Sequence, residues 1–447
     1  MNNQTTFHSN DVLLPPVFDT DACLENFPRR IGPWHDATNS SVADCLTRAS
    51  RSGGWHWPDR PVIFVSDPHA DAEGFLRSLI AAGAILRKNG RIELTPFGRR
   101  AHIVLGGDTL DKGPSNLALL DAIASVLQTG AYLTILAGNH DLRMRMAIGS
   151  VRGNRTALNE HLFVRMGRKI LPALREVLDR FVTPLDLEAV PDEKTCRSLL
   201  TPGTGWAARF ERAARDELRP QVIDKETRKL SEKLGKFETD CARHGMTYRE
   251  LLAALRKCHD IFIEPNGHYA WFYERMQAVA QSGSIVFVHA GLCDDMCHAL
   301  VENGVEAINS AYRRAAEDAT LGFYFGPLAN LVRTKYRRSD CTLTEAGVAT
   351  LHRAGLHMVV QGHVNSHEGQ RLQAKSGMLH LEGDITLDRA SRALEGLDGI
   401  GAGATLIFPS GDVIGLSRDY PHAKHFAPER MAIHADRCEL GELVAPA

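Results

Sequence analysis

The residues best placed for chemistry are Asp67, His69, Asp108, Asn139, His289 and His363, because each follows an apolar run that reads as a strand. Asp67 and His69 stand two apart in extended chain, so their side chains point the same way and can chelate one ion. Asp108 offers a carboxylate able to bridge two cations, Asn139 a neutral oxygen, and His289 and His363 imidazoles. Nitrogen and oxygen ligation without thiolates suits divalent manganese, iron or zinc. Ions sharing a carboxylate lie ~3.5–4 Å apart, the spacing used for in-line displacement at phosphorus. The set therefore points to two divalent metal ions acting on a phosphate ester; a single ion fits less well.

The elements that must position these residues follow from the hydrophobic pattern. Residues 61–67, 101–108 and 131–139 read as buried strands, with helices expected over 72–85 and 116–130 between them. Strands that are apolar throughout and alternate with helices imply a sheet covered on both faces, with ligands bound at the carboxyl ends of the strands. Those ends carry SDPHAD, GGDTLDKG and GNHD. The α/β pattern resumes at 283–292, ending beside His289, and at 357–364, ending beside His363. Strands are also expected over 376–384 and 404–417, the latter a hairpin turning at Ser410 and Gly411; both are expected to extend a second sheet.

Between about 150 and 280 the chain reads as long charged helices, notably 157–178 and 223–238, which form an inserted helical cap. Leu158, Leu162, Met166 and Ile170 recur every four positions as one buried face, and the flanking charges read as solvated. Residues 1–58, rich in Pro, Asn, Ser and Asp, read as an irregular arm.

The motifs resemble those of the calcineurin-like metallophosphoesterases, whose signature runs D-x-H, G-D-x-x-D-R-G, G-N-H-[DE], H-[AG]-G and G-H. This sequence has Asp67-Pro68-His69, then Gly107-Asp108 through Asp111-Lys112-Gly113, then Gly138-Asn139-His140-Asp141, His289-Ala290-Gly291 and Gly362-His363, in that order. The likeness covers about 61–150 and 283–385 and does not extend to the arm or the cap. It implies that Asp67 and His69 hold a first metal, that Asp108 bridges, and that Asn139, His289 and His363 hold the second. It also implies that His140 protonates the leaving oxygen, that Asp111 orients His140, and that a hydroxide bridging the two metals attacks in line.

The sequence departs from the commoner pattern at three positions. Lys112 stands where an arginine usually clamps phosphate, keeping the charge without the bidentate fork. Asp71 replaces a glycine, which predicts a looser loop. Asn365 replaces a second histidine found in many nuclease-like and phosphodiesterase-like members, which tilts the resemblance towards the bacterial phosphoprotein-phosphatase-like branch. The segment 326–338, GPLANLVRTKYRR, is similar to a phosphate-holding stretch of that branch, making Arg333 or Arg337 a substrate ligand, with Arg143 a further candidate.

The expected architecture is α/β, a two-sheet αββα sandwich of the metallophosphoesterase type with a helical insertion. An arm occupies 1–58, the catalytic domain 59–150 and 281–420, the cap 151–280, and a tail 421–447. The expected activity is hydrolysis of phosphate monoesters on a phosphorylated protein or small molecule, with manganese the first choice of metal and iron or zinc alternatives. A nucleotide or dinucleoside polyphosphate hydrolase is a rival reading, and a binding module without activity a remote one.

Composition limits the remaining options. A formal net charge of -2 lacks the basic excess of nucleic-acid or membrane-surface binders. There is no basic start followed by an apolar run, and no apolar stretch near the ~20 residues that span a bilayer. Nine irregularly spaced cysteines suit a reducing, cytoplasmic setting. Cys293 and Cys297 are expected to be small buried apolar residues, and His102, His352, His357, His367 and His380 fit no ligand position. Asp384 is expected in a strand-end turn.

Overall fold

The computed structural model describes residues 14–15, 27–28, 30–33, 40–151, 154–167, 169–318, 320–338 and 340–428. Its strands, in chain order, begin with β1 (Ile31–Pro33), β2 (Val62–Val65), β3 (Ile85–Lys88), β4 (Arg91–Leu94), β5 (His102–Leu105) and β6 (Tyr132–Leu136). After the inserted helices come β7 (Met276–Gln277), β8 (Val279–Ser282), β9 (Ile285–Val288) and β10 (Met358–Gln361). The series ends with β11 (Arg371–Lys375), β12 (Met378–Glu382), β13 (Gly403–Ile407), β14 (Val413–Ser417) and β15 (Ala423–Phe426).

These strands build an eight-stranded sheet in the order β1-β15-β14-β13-β2-β5-β6-β7, a five-stranded sheet β11-β12-β10-β9-β8, and the hairpin β3-β4. At the centre of the large sheet β2, β5 and β6 run parallel, so the loops that follow them leave from one end. In the second sheet β9 and β10 are likewise parallel.

Alternation along each strand makes the two sheets stack face to face. Val62 and Phe64 of β2, with Ile285 and Phe287 of β9 and Met358 and Val360 of β10, fill the core between the sheets, where the Phe64 and Phe287 rings lie 6.2 Å apart. The alternate residues Ile63, Val65, Val286 and Val288 turn outward into the larger core under the helices. The fold is thus a mixed α/β sandwich with helices flanking its sheets.

Several elements differ from expectation. The helix expected over 72–85 is Ala72–Ala81, and the chain then turns at Gly83 into the β3-β4 hairpin. The single helix expected over 157–178 is Leu162–Gly167 followed by Leu171–Phe181, with Pro172 in the first turn of the second helix, where its missing N–H is tolerated. Within the stretch read as an irregular arm, Ser40–Arg51 is a helix. Its apolar residues Val42, Cys45, Leu46 and Ala49 recur at helical spacing and enter the inter-sheet core. The segment from 421, expected to be a tail, contributes β15, which joins β1 to β14. The β13-β14 hairpin pairs with β2 in the large sheet, not in the second; of the two expected segments, only the one holding β12 joins the second, beside β10.

The helices between the two halves are packed onto the site loops by polar contacts. Glu176, on helix Leu171–Phe181, accepts the backbone N–H groups of Asn116 at 2.9 Å and Leu117 at 3.0 Å, capping helix Asn116–Gln128 from outside. Asn116 in turn accepts the Asp111 N–H at 2.8 Å. A buried ion pair between Arg165 and Glu226 ties helix Leu162–Gly167 to the long helix Pro220–Arg243.

Candidate metal centre

The loops leaving β2, β5 and β10 adopt conformations that L-residues avoid. Asp67 (φ 54°), His69 (41°), Asp108 (49°), Asp111 (74°), Lys112 (72°) and His363 (68°) all lie in the left-handed region. Each such residue costs on the order of 1–3 kcal/mol and persists where surrounding structure over-determines it, which is characteristic of functional sites. Two motif glycines make the close approach feasible. A Cβ on Gly138 would sit 1.9 Å from the Asp108 backbone nitrogen, and one on Gly362 would sit 1.9 Å from Ser66 Oγ and 2.2 Å from Asp67 Oδ1.

The result is a buried cluster with Asp108 at its middle. Its carboxylate lies 3.3 Å from His289 Nε2, 3.7 Å from His69 Nε2 and 3.8 Å from His140 Nε2. Two triads share it: Asp67, His69 and Asp108 on one side, and Asp108, His289 and His363 on the other, with the offered atoms of each triad within 4.8 Å of one another. Asn139 adjoins, its amide nitrogen 3.3 Å from both Asp108 oxygens.

The donor set fits divalent metals. His289 Nδ1 is 2.8 Å from the Gly106 carbonyl oxygen, which accepts its N–H and leaves Nε2 turned towards the cluster. The buried Nε2 of His363 has no hydrogen-bond partner, an arrangement that is costly unless a cation completes it, and that of His289 faces the Asp108 carboxylate. Ser66 donates to the Asp67 carboxylate and fixes its orientation. Lys112 places its ammonium 2.7 Å from His69 Nε2, putting positive charge at this ring nitrogen.

Electrostatics within the cluster are those of closely packed buried charges. Burial, with the charge of Asp108 beside it, pushes the Asp67 carboxyl up to about 6. For His289, burial acts downward but the carboxylates of Asp108 and Asp67 outweigh it and raise the imidazole to about 10. Asp108 is itself held well below the usual carboxylate range, since the surrounding imidazoles, His289 first, overcome its burial. Burial holds His69 and His363 well below the ordinary imidazole value, so both present neutral nitrogens.

Beside this cluster His140 Nδ1 lies 2.6 Å from Asp111 Oδ2, while Nε2 faces Asp108. Asp111 also accepts the Lys112 N–H at 2.7 Å, so its carboxylate is set before it meets the ring. Arg143, Arg333 and Arg337 line one cleft together with Asn139 and His363, a cavity of about 410 Å³. Lys112, expected at the same phosphate, lies instead against His69.

Several contributors went unread in the sequence. Asp141, present in the GNHD motif but given no role, is fully buried and accepts the N–H groups of Leu110 and Gly138, each at 3.0 Å, locking two motif loops together. Asp71 caps helix Ala72–Ala81 and is held by Arg389 at 2.7 and 2.9 Å, so the loop that lost its glycine is fixed and not loose. The signal for Asp71 was its position before a helix start; Arg389 is 318 residues away and gave none. Asp384 accepts the Thr386 N–H at 3.0 Å, a strand-end turn. Asn365 donates to Glu395 at 2.6 Å, and His102, His352, His357, His367 and His380 bond elsewhere.

A family match over the first half of the fold supports a hydrolase acting on phosphate esters. Residues 60–197 match the family model described as calcineurin-like phosphoesterase. No curated protein matches in sequence. Among solved structures, a cold-active protein tyrosine phosphatase is similar at 13% identity and a TM-score of 0.44, covering 87% of this chain and 83% of its own. The cold-active protein-tyrosine phosphatase of a psychrophile, Shewanella sp., gives 14% and 0.41, covering 82% and 80%. A protein serine/threonine phosphatase from Saccharomyces cerevisiae gives 12% and 0.36, covering 83% and 82%.

Proposed function

We propose that the chain hydrolyses phosphate monoesters by phosphoprotein-phosphatase-type chemistry with two divalent ions, manganese foremost, held by Asp67, His69, Asp108, Asn139, His289 and His363. The observation that carries this reading is the pair of buried triads meeting at Asp108, with the His140-Asp111 pair beside them. Bound there, the ions would supply Lewis-acid stabilisation of phosphoryl charge and acidify the attacking water. The chain's own residues do the rest. His140, its far nitrogen anchored by Asp111, presents Nε2 to the centre and delivers a proton to the departing oxygen. Arg143, Arg333 and Arg337 hold the phosphoryl oxygens from the cleft side.

In this reading the catalytic domain comprises 59–150 and 281–420, and the helices of 151–280 are an insertion that shapes the cleft. The setting is cytoplasmic: every cysteine among the described residues is unpaired. Among these residues no helix is long and apolar enough to cross a membrane.

The test is hydrolysis of p-nitrophenyl phosphate, a phosphoserine/phosphothreonine peptide, a phosphotyrosine peptide and diadenosine tetraphosphate by stripped protein resupplied with manganese. Manganese-dependent cleavage of at least one monoester, lost in Asp108→Asn, is expected. Cleavage of the dinucleotide alone would replace this reading with a polyphosphate-anhydride hydrolase, and inactivity on all four with any metal would favour a binding module.

A further inference from the structure

The cleft beside the metal centre carries far more positive charge than one phosphate requires. Ten basic side chains line it against three acidic ones. Two of the three acids are already engaged: Glu226 is paired with Arg165, and Asp340 accepts the Lys335 and Arg337 N–H groups at 2.9 and 3.0 Å. Among the described residues no carboxylate forms an ion pair with Lys225, Lys229, Lys233 or Lys236. These four lie at spacings of four, four and three on helix Pro220–Arg243, so they share one face, and that face lines the same cavity as Asn139 and His363. Like charges at such spacings weaken a helix, and a merely solvated surface would not gather them towards a cavity.

The charge is concentrated, not dispersed. One Arg143 guanidinium nitrogen is buried without a hydrogen-bond partner. Lys233 is pushed down to about 7 by burial and by the charges of Arg165 and Arg143. An excess of this kind, held close in the folded chain, is relieved by a bound polyanion.

The cavity's shape and rings narrow the class. About 410 Å³ suits a small molecule, not a folded partner. Its aromatic residues are already covered: Arg333 lies 4.6 Å from the Tyr324 ring centre and 5.0 Å from that of Phe325, and Arg165 lies 5.6 Å from Tyr324. A guanidinium group thus already occupies a face of each of these rings, a face no longer open to a nucleobase.

We infer that the substrate is a small, non-nucleotide molecule bearing several phosphates, with one at the metal centre and the others held by the Lys225–Lys236 face of the long helix. The inference rests on the phosphatase reading for its cleaved phosphate and adds the substrate class.

The test uses the full chain as purified and isothermal titration calorimetry with orthophosphate, inorganic tripolyphosphate and adenosine triphosphate. The comparison sets wild type beside Lys229→Gln/Lys236→Gln and Lys229→Arg/Lys236→Arg, both pairs exposed and in helix-tolerant types. Tripolyphosphate should bind wild type at least about tenfold more tightly than orthophosphate, with the glutamine pair losing on the order of tenfold and the arginine pair retaining affinity. Circular dichroism confirms that each variant is folded. Equal affinity for the two anions, or an unchanged glutamine variant, overturns the polyphosphate site. Adenosine triphosphate binding more tightly than tripolyphosphate overturns the exclusion of nucleotides. Wild-type hydrolysis of p-nitrophenyl phosphate, run alongside, tests the phosphatase reading separately.

Discussion

Replacing His140 by alanine removes an imidazole that Asp111 anchors at one nitrogen while the other faces the centre. Nδ1 is 2.6 Å from Asp111 and Nε2 is 3.8 Å from Asp108, so the ring has one proton to deliver and a fixed direction for it. General-acid catalysis contributes roughly 10²–10⁴-fold, or about 3–6 kcal/mol at about 1.4 kcal/mol per factor of ten. The loss should depend on the leaving group: near the lower bound for p-nitrophenyl phosphate, whose phenolate departs readily, and near the upper for an alkyl monoester, whose alkoxide needs the proton. The companion Asp111→Asn keeps a hydrogen bond but removes a negative charge. Burial already lowers the His140 imidazole, and Asp108 and Asp111 work against that lowering. Without Asp111's charge it falls further, so the limb on which activity declines with rising pH must move to lower pH. The assay is kcat/KM against pH for both substrates in wild type, His140→Ala and Asp111→Asn. An equal loss on both substrates together with an unmoved limb would refute the proton-delivery role.

Three further outcomes follow from packing and charge. Gly138→Ala forces a methyl to within 1.9 Å of the Asp108 backbone and should lower thermal stability and metal content together, read by calorimetry and elemental analysis. Arg389→Ala leaves Asp71 buried without its partner and should cost about 3 kcal/mol or somewhat less, since Arg389 is part exposed; denaturant unfolding near neutral pH measures it. Because Asp71 is lowered in the folded chain, with Arg389 overcoming its burial, the stability it contributes is present above the ordinary carboxylate value and lost on acidification, so the variant's deficit should shrink at low pH. Lys233→Met should raise the melting temperature at pH 6 and raise it less at pH 9.5. Lys233 is lowered from 10.5 to about 7, so the unfolded chain binds more protons between those values and wild-type stability climbs across that window. An equal effect at both pH values would show that its ammonium is not strained.

What the sequence determined by itself were the features written in short stretches. Apolar runs of four or five residues fixed where β2, β5, β6, β9 and β10 lie, and the Asp, His or Asn just beyond each strand end placed the candidate ligands in loops or, for Asn139, at a helix start. Only Asp108 has a motif glycine, Gly107, beside it; the close approaches at Asp108 and Asp67 depend on Gly138 and Gly362, which other strands deliver. Helix Ser40–Arg51 was hidden because its apolar face is only four small or medium residues within a polar composition. Strand β15 lacked any local mark, since AKHF becomes a strand only by pairing with β1 and β14. Tertiary structure alone decided which strands share a sheet, as the β13-β14 hairpin shows by joining β2. It also brought Arg389 to Asp71, set Asp141 between two loops, and turned four lysines of a distant helix towards Asn139 and His363. A net charge of -2 gave no sign of that basic cleft, because charge balance sums over the chain whereas electrostatic attraction depends on which charges the fold places within a few ångströms.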